Sequence, residues 1–230
     1  MTRLKDLLAA RYSCRAYQAR PVEEALLREI LSEACGAPSG GNVQAWSVVA
    51  MTGPFLEEFG RFARNEAVRH PELSSASDLF YPDDLPDPYR ARRREAGYNL
   101  YHALGIDRRD YDARKEQMLK NFQFFGAPVG LIVHTDARMV RNQWLDIGAF
   151  VQSVCLLAAD AGLATCIRGV WTQFRRPDDP VKAMIGLGND RRVACGMALG
   201  YPDAKHPVNI FRTARTPIDE YATFLSERPD

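Results

Sequence analysis

No stretch of this sequence is long and apolar enough to cross a bilayer, and its two signs of charge almost cancel. With a formal charge of +1 over 230 residues, no global field draws the chain to nucleic acid or to an anionic membrane, so any anion must be held locally. The opening Met1-Thr2-Arg3-Leu4-Lys5-Asp6 has no apolar signal-peptide core. The five cysteines, Cys14, Cys35, Cys155, Cys166 and Cys195, are odd in number and contain no C-x-x-C pair. That speaks against a disulfide scaffold, a zinc site or a redox thiol pair, and for a reducing, cytoplasmic compartment. His70, His102, His134 and His206 are too scattered for metal-ligand spacing. No G-x-S-x-G elbow, G-x-G-x-x-G turn or G-x-x-x-x-G-K-[ST] loop occurs, which removes the serine-hydrolase, dinucleotide-fold and P-loop readings.

What is present is a hydrophobic content of 46%, enough for a large core in a single domain spanning 1–230. The chain is organised around Ala37-Pro38-Ser39-Gly40-Gly41-Asn42-Val43-Gln44-Ala45-Trp46. Paired glycines let the backbone approach a flat ligand, and Ser39, Asn42 and Gln44 offer neutral donors and acceptors suited to a heterocycle. A tight helix-to-strand connection is the plainer alternative. Upstream, Arg11 and Arg15 lie four apart with Ser13 between, able to present two guanidinium forks and a hydroxyl to a phosphate or a flavin edge. Surface charge beside a helix end is the competing reading. A second glycine-anchored turn, Thr165-Cys166-Ile167-Arg168-Gly169, follows later, and Arg212 and Arg215 lie near the end.

Periodicity predicts helices over 2–11, from Pro21 through Cys35, 55–69, 89–104, 107–124, 140–161 and 177–185. Strands are predicted over 46–52, 128–134, 164–169 and 193–200. Residues 70–88 hold too much proline for a regular element, and 70–110 as a whole reads as a lid excursion. Tyr98, Tyr101, His102, Tyr111, Phe122, Phe124 and Phe125 form an aromatic group with two readings, core or a cap over a planar guest. The 140–161 helix is apolar around much of its circumference, which places it in a large core or at a subunit interface.

In this order, R-x-S-x-R followed by A-P-S-G-G-N-x-Q-x-W resembles the FMN-dependent nitroreductase family, in its nitrobenzoate- and nitrobenzene-reductase-like branch. Asn121 to Gly130, Trp144 to Gly148, Gly162 to Cys166 and Cys195 to Pro202 carry the same likeness, which runs from about Arg11 to the end. The resemblance implies an α+β fold, a three-layer α/β/α sandwich with a central, mainly antiparallel sheet, a long core helix and a helical lid. It also implies a homodimer with FMN at the interface.

By the same resemblance Arg11 and Ser13 hold the ribityl phosphate, Arg212 or Arg215 completes that site, and Arg15 approaches the pyrimidine edge. Asn42 and Gln44 bond the ring or ribityl hydroxyls of their own protomer, while Pro38 and Ser39 reach the flavin held mainly by the other. The backbone at Ile167, Arg168 and Gly169 faces flavin N5. Departures are Ala45 where the family usually has proline, and Ile167-Arg168 in place of a Pro-Gln pair, with Trp171 and Phe174 following to reshape the turn. Arg168 points either toward an anionic substrate or phosphorylated nicotinamide, or into solvent.

The implied reaction is ping-pong hydride transfer from NADH or NADPH through FMN to a small nitroaromatic, quinone or similar acceptor. The cofactor carries the chemistry, and no side chain need be an obligatory acid or base. Two rivals stand beside it. One is a different flavin reaction on this scaffold (enone reduction, dehalogenation or dehydrogenation), and the other is a non-catalytic flavin-binding module.

Overall fold

The computed structural model describes residues 4–72, 81–82 and 84–227. Among them the order is α1 (Leu4–Ala10), α2 (Glu24–Ala34), β1 (Ser47–Thr52), α3 (Gly53–Arg69), α4 (Tyr89–Ala103), α5 (Tyr111–Leu119) and β2 (Val129–Asp136). It continues with α6 (Arg141–Asp160), β3 (Ala164–Arg168), α7 (Pro180–Met184) and β4 (Arg191–Gly200). The strands form one antiparallel sheet in the order β1-β2-β4-β3.

β2 is apolar on both faces, so it has to be covered twice, and alternation along it divides the core in two. Val129, Leu131 and Val133 pack with Leu27 and Ile30 of α2 and with Phe150, Val151 and Val154 of α6. Ile132 joins the opposite cluster, with Leu56 and Phe59 of α3 and with Phe122, Phe124, Trp171 and Phe174. Helices therefore sandwich the sheet, giving the three α/β/α layers of the expected α+β fold. Burying each of these side chains contributes ~1.5–3 kcal/mol. Opposite Val133 and His134 of β2 the register slips, leaving Ala194 of β4 unmatched across the pair. The bulge turns Val193 and Cys195, two apart, to opposite cores.

Glycine sets how closely the layers approach. A Cβ at Gly196 of β4 would lie 2.1 Å from Trp171 Cδ1, and one at Gly130 of β2 would lie 2.5 Å from Leu56 Cδ1. Trp171 and Phe174, which follow the β3 turn, are 1% and 2% exposed, so they reshape that turn by rooting it in the core.

Several predicted helices are shorter than their periodicity. The second begins at Glu24 rather than Pro21, because the chain before it stays extended: Gln18 N donates to Tyr201 O at 2.9 Å and Tyr17 bridges to Pro202. The 107–124 segment is helical only over α5 and then tightens to a 3-10 turn, Lys120–Gly126. There Phe124, Phe125 and Gly126 adopt φ of 51°, 56° and 73° and end any α-helix. The 177–185 helix shrinks to α7, started by Asp179, whose carboxylate accepts from Val181 N at 3.1 Å.

The aromatic group divides as well. Phe122 and Phe124 are core, whereas Tyr98 and Tyr111 stay exposed on α4 and α5. Of the two, α4 lies within the 70–110 excursion and α5 follows it; residues 73–80 and 83 of the excursion lie outside the described residues. α6 buries Ile147, Phe150, Val151, Val154 and Cys155 on one face but leaves Leu145 79% exposed on another.

Candidate active site

The segment after α1 runs extended beside β3. Ser13 forms a parallel bridge to Thr165, and Cys14 N donates to Thr165 O at 3.0 Å. In an extended chain residues two apart share a face, so Arg11, Ser13 and Arg15 line one cavity while Cys14 is fully buried. Burial pushes the Cys14 thiol pKa up, so it stays neutral. The R-x-S-x-R spacing thus has a geometric cause.

The cavity is about 260 Å³ and is closed by Arg212 and Arg215 from the C-terminal segment, by Tyr12, and by Ala96 and Leu100 of α4. Among the described residues four arginines line it and no carboxylate does. The Arg212 guanidinium lies 3.9 Å over the Tyr12 ring, and its Nη1 donates to the carbonyls of Asn209 (2.6 Å) and Phe211 (3.0 Å). Arg215 Nη1 donates to Thr213 Oγ1 at 2.6 Å. Both side chains are anchored through one nitrogen. Desolvation, reinforced by the neighbouring Cys14 and opposed by Arg212, pushes the Tyr12 phenol up to about 12.

Arg15 is fixed from two sides. Its backbone N donates to Asn209 Oδ1 at 2.9 Å, and its Nη1 donates to Ser13 O at 3.0 Å. Asn209 also donates from Nδ2 to Ala16 O at 2.8 Å and Asp203 O at 2.9 Å, clipping the C-terminal segment to the arginine strand. Burial lowers the Arg15 pKa from its ordinary value, and the Arg168 charge acts in the same direction. Arg168 itself turns inward from the end of β3, with its guanidinium 5.5 Å over the Phe125 ring. Its Nε and that of Arg15 are buried without a hydrogen-bond partner among the described residues. Unpaired donors on two like charges are costly in a dry site, and an electron-rich anionic ligand would complete them. Ile167 stays 39% exposed and Gly169 is exposed, so the turn presents backbone to the surface.

The loop 37–46 lies apart from this cavity. Gly41, Asn42 and Gln44 have φ of 59°, 57° and 50°, a left-handed conformation that costs a non-glycine residue ~1 kcal/mol or more. Its polar groups are spent locally: Gln44 Nε2 donates to Asn42 Oδ1 at 3.0 Å, and Gln44 N donates to Ser39 Oγ at 3.1 Å. Thr135 Oγ1 donates to Ala45 O at 2.6 Å, and Gly40 N donates to Asp146 Oδ2 of α6 at 3.3 Å. Pro38, Asn42 and Gln44 are exposed and Ser39 is half-buried.

One chain thus gathers Arg11, Ser13, Arg15, Arg212 and Arg215, sets Arg168 beside Arg15, and holds the loop residues elsewhere. Sequence reasoning gave no site role to Tyr12, Asn209 or Asp146, and named Phe125 only within the aromatic group. Tyr12 sits inside the arginine motif and was open to detection. Asn209 is 194 residues from its partner Arg15, and no local pattern points to it.

The model of the Nitroreductase family matches residues 8–201. The chain is 34% identical to a 4-nitrobenzoate reductase of Nocardioides sp. (strain LMS-CY), over 97% of this chain and 90% of that protein. It is 33% identical to a 4-nitrobenzoate reductase of Pseudomonas putida, over 95% and 94%. Among solved structures, the FMN and NADPH-dependent nitroreductase NfnB from Sphigopyxis sp. strain HMH superposes with a TM-score of 0.89 at 35% identity, covering 98% of this chain and 100% of that one. The FMN-dependent NfnB from Mycobacterium smegmatis in complex with NADPH gives 0.87 at 26% identity, covering 96% and 97%. By its sequence, its fold and its basic cavity, the chain belongs to the nitroreductase family.

Proposed function

We propose that this protein is an FMN-dependent NAD(P)H oxidoreductase that reduces a small nitroaromatic, quinone or similar acceptor. The observation that carries the reading is a cavity with four arginines, a serine and no carboxylate, flanked by unpaired buried Nε atoms on Arg15 and Arg168. Those donors fit a phosphate and an electron-rich ring edge. When bound, FMN supplies hydride transfer between nicotinamide and acceptor, which occupy one place in turn.

Arg11, Ser13, Arg212 and Arg215 hold the phosphate, with Arg212 braced on Tyr12. Arg15 places its positive charge at the pyrimidine edge, where negative charge collects on reduction. Ile167, Arg168 and Gly169 line the redox edge, and the Arg168 cation favours an acceptor bearing a carboxylate. Asn42 and Gln44 serve the flavin of their own protomer, and Pro38 and Ser39 that of the partner. No side chain is required as an obligatory acid or base.

A homodimer supplies the second half of the site. Leu4 and Leu8 of α1, Val43 of the loop and Leu145 of α6 are 61%, 50%, 49% and 79% exposed in the single chain, leaving apolar surface on three segments. The whole chain acts as one flavin-binding unit with 70–110 as its lid. The test is to reduce the purified protein anaerobically with NADPH or NADH and then add 4-nitrobenzoate. Reoxidation with loss of the nitro group is expected; a flavin that stays reduced eliminates nitroreduction.

A further inference from the structure

A second arginine cluster lies outside the flavin cavity. The groove between α4 and α5, about 1020 Å³, is lined by Arg90, Arg93 and Arg94 of α4 and by Arg108, Arg109 and Arg114 from the following turn and α5. Among the described residues no carboxylate lines it. Among the described residues only Arg90 of the six meets a carboxylate, Asp87 at 2.7 Å. Six like charges in one groove repel one another, and an ordinary solvated face intersperses acids among its bases.

The remaining lining is Gly97 and the tyrosines Tyr98, Tyr101 and Tyr111. The Arg108 guanidinium lies 5.5 Å from the Tyr98 ring centroid, and that of Arg114 lies 4.8 Å from Tyr101 and 5.9 Å from Tyr111. Arg114 Nη1 donates to Arg108 O at 3.1 Å, tying the turn to α5, while its Nε is buried without a hydrogen-bond partner among the described residues. The Arg108 and Arg114 forks are therefore held beside aromatic rings. Guanidinium forks beside exposed tyrosine rings suit a ligand that carries phosphate and a flat heterocycle together.

α4 connects the two sites. Its Ala96 and Leu100 line the flavin cavity, while its Arg94, Gly97 and Tyr98 line the groove. The two sites thus share one helix, whose diameter with side chains is about 10 Å. We propose that this groove binds the phosphorylated adenosine end of the reduced nicotinamide donor, and that its arginines select the donor carrying the additional 2′-phosphate. The proposal rests on the oxidoreductase reading above, which leaves NADH and NADPH open, and it assigns the choice to residues of the excursion.

The test uses the flavin-loaded protein. Calorimetry with 2′,5′-ADP and 5′-AMP is compared between the unaltered protein and an Arg94→Gln, Arg108→Gln, Arg109→Gln variant. The unaltered protein is expected to bind 2′,5′-ADP about tenfold or more tighter than 5′-AMP, and the variant to lose that margin. Steady-state KM for NADPH should rise about tenfold in the variant, with KM for NADH and flavin content unchanged. Equal shifts for both donors, an unchanged margin, or inorganic pyrophosphate bound as tightly as 2′,5′-ADP would overturn the proposal. If the triple variant does not fold, Arg109→Gln alone, whose side chain is exposed, carries the same comparison at smaller amplitude. Failure to reduce 4-nitrobenzoate would sink the proposed reaction but leave the 2′,5′-ADP measurement standing, so the two failures are distinguishable.

Discussion

The arginine cavity and the 37–46 loop carry the two motifs that point most strongly to a flavin, yet they are built in opposite ways. The cavity is finished within one chain: Arg15 is clamped by Ser13 and Asn209, Arg212 lies on Tyr12, and unpaired donors remain for a ligand. The loop is exposed, and Gln44 bonds to Asn42 and Ser39 instead of facing a ligand. The difference teaches that the arginine cluster is assembled within one chain, whereas the polar groups of the loop bond one another at the surface of that chain.

The sharpest way to break this contrast is Arg11→Ala combined with Arg212→Ala. Loss of two charge-assisted bonds should weaken FMN binding about 100-fold or more, ~3 kcal/mol, in a fluorescence titration of the apoprotein. Full flavin occupancy in that variant would place the phosphate elsewhere. Next is Leu145→Glu, which puts a charge on the apolar surface proposed for the interface. Light scattering should show dissociation to single chains, with flavin affinity falling about tenfold; an unchanged dimer would exclude α6 from the interface. Asn42→Ala should act more weakly. It removes one neutral hydrogen bond, worth ~1 kcal/mol, so a several-fold loss of flavin affinity is expected with the dimer intact. A loss as large as that of the double arginine variant would erase the distinction between the two regions.

The smallest effect concerns the strand that anchors the loop. His134 of β2 pairs with Ser47 of β1, next to Thr135, which bonds Ala45 O. Burial, then the nearby Arg191 charge, lowers the His134 pKa from its ordinary value of 6.5. Above that value the ring is neutral in both folded and unfolded chains. As pH falls below it the unfolded chain takes up the proton first, so stability declines toward acid. Melting temperature measured at about pH 7 and about pH 5 should drop, and the drop should be smaller in His134→Gln. Identical slopes would remove His134 from the account.

Much of the fold was legible in local pattern. The apolar run of β2, the long α6 and the passage from β1 to α3 all appear where periodicity put them, because each is set by residues adjacent in sequence. Helix boundaries were less legible where distant contacts decide them. The pairing of Tyr17 with Pro202 keeps the chain extended past Pro21, and left-handed Phe124 and Phe125 cut α5 short. In the site, the arginine spacing pointed to a shared anion, but its cause, an extended strand beside Thr165, needed the fold. The Asn209 clip joins segments that only tertiary structure brings together, and the Arg168 direction depends on the Phe125 ring supplied by that same left-handed turn.

The central claim is that the four-arginine cavity grips the phosphate of a flavin. Parallel titration of the apoprotein with FMN and with riboflavin, which differ by that phosphate alone, addresses it most directly. The account predicts that riboflavin binds about 100-fold or more weakly than FMN, with the gap narrowing as salt is raised. Equal affinity for the two would contradict it.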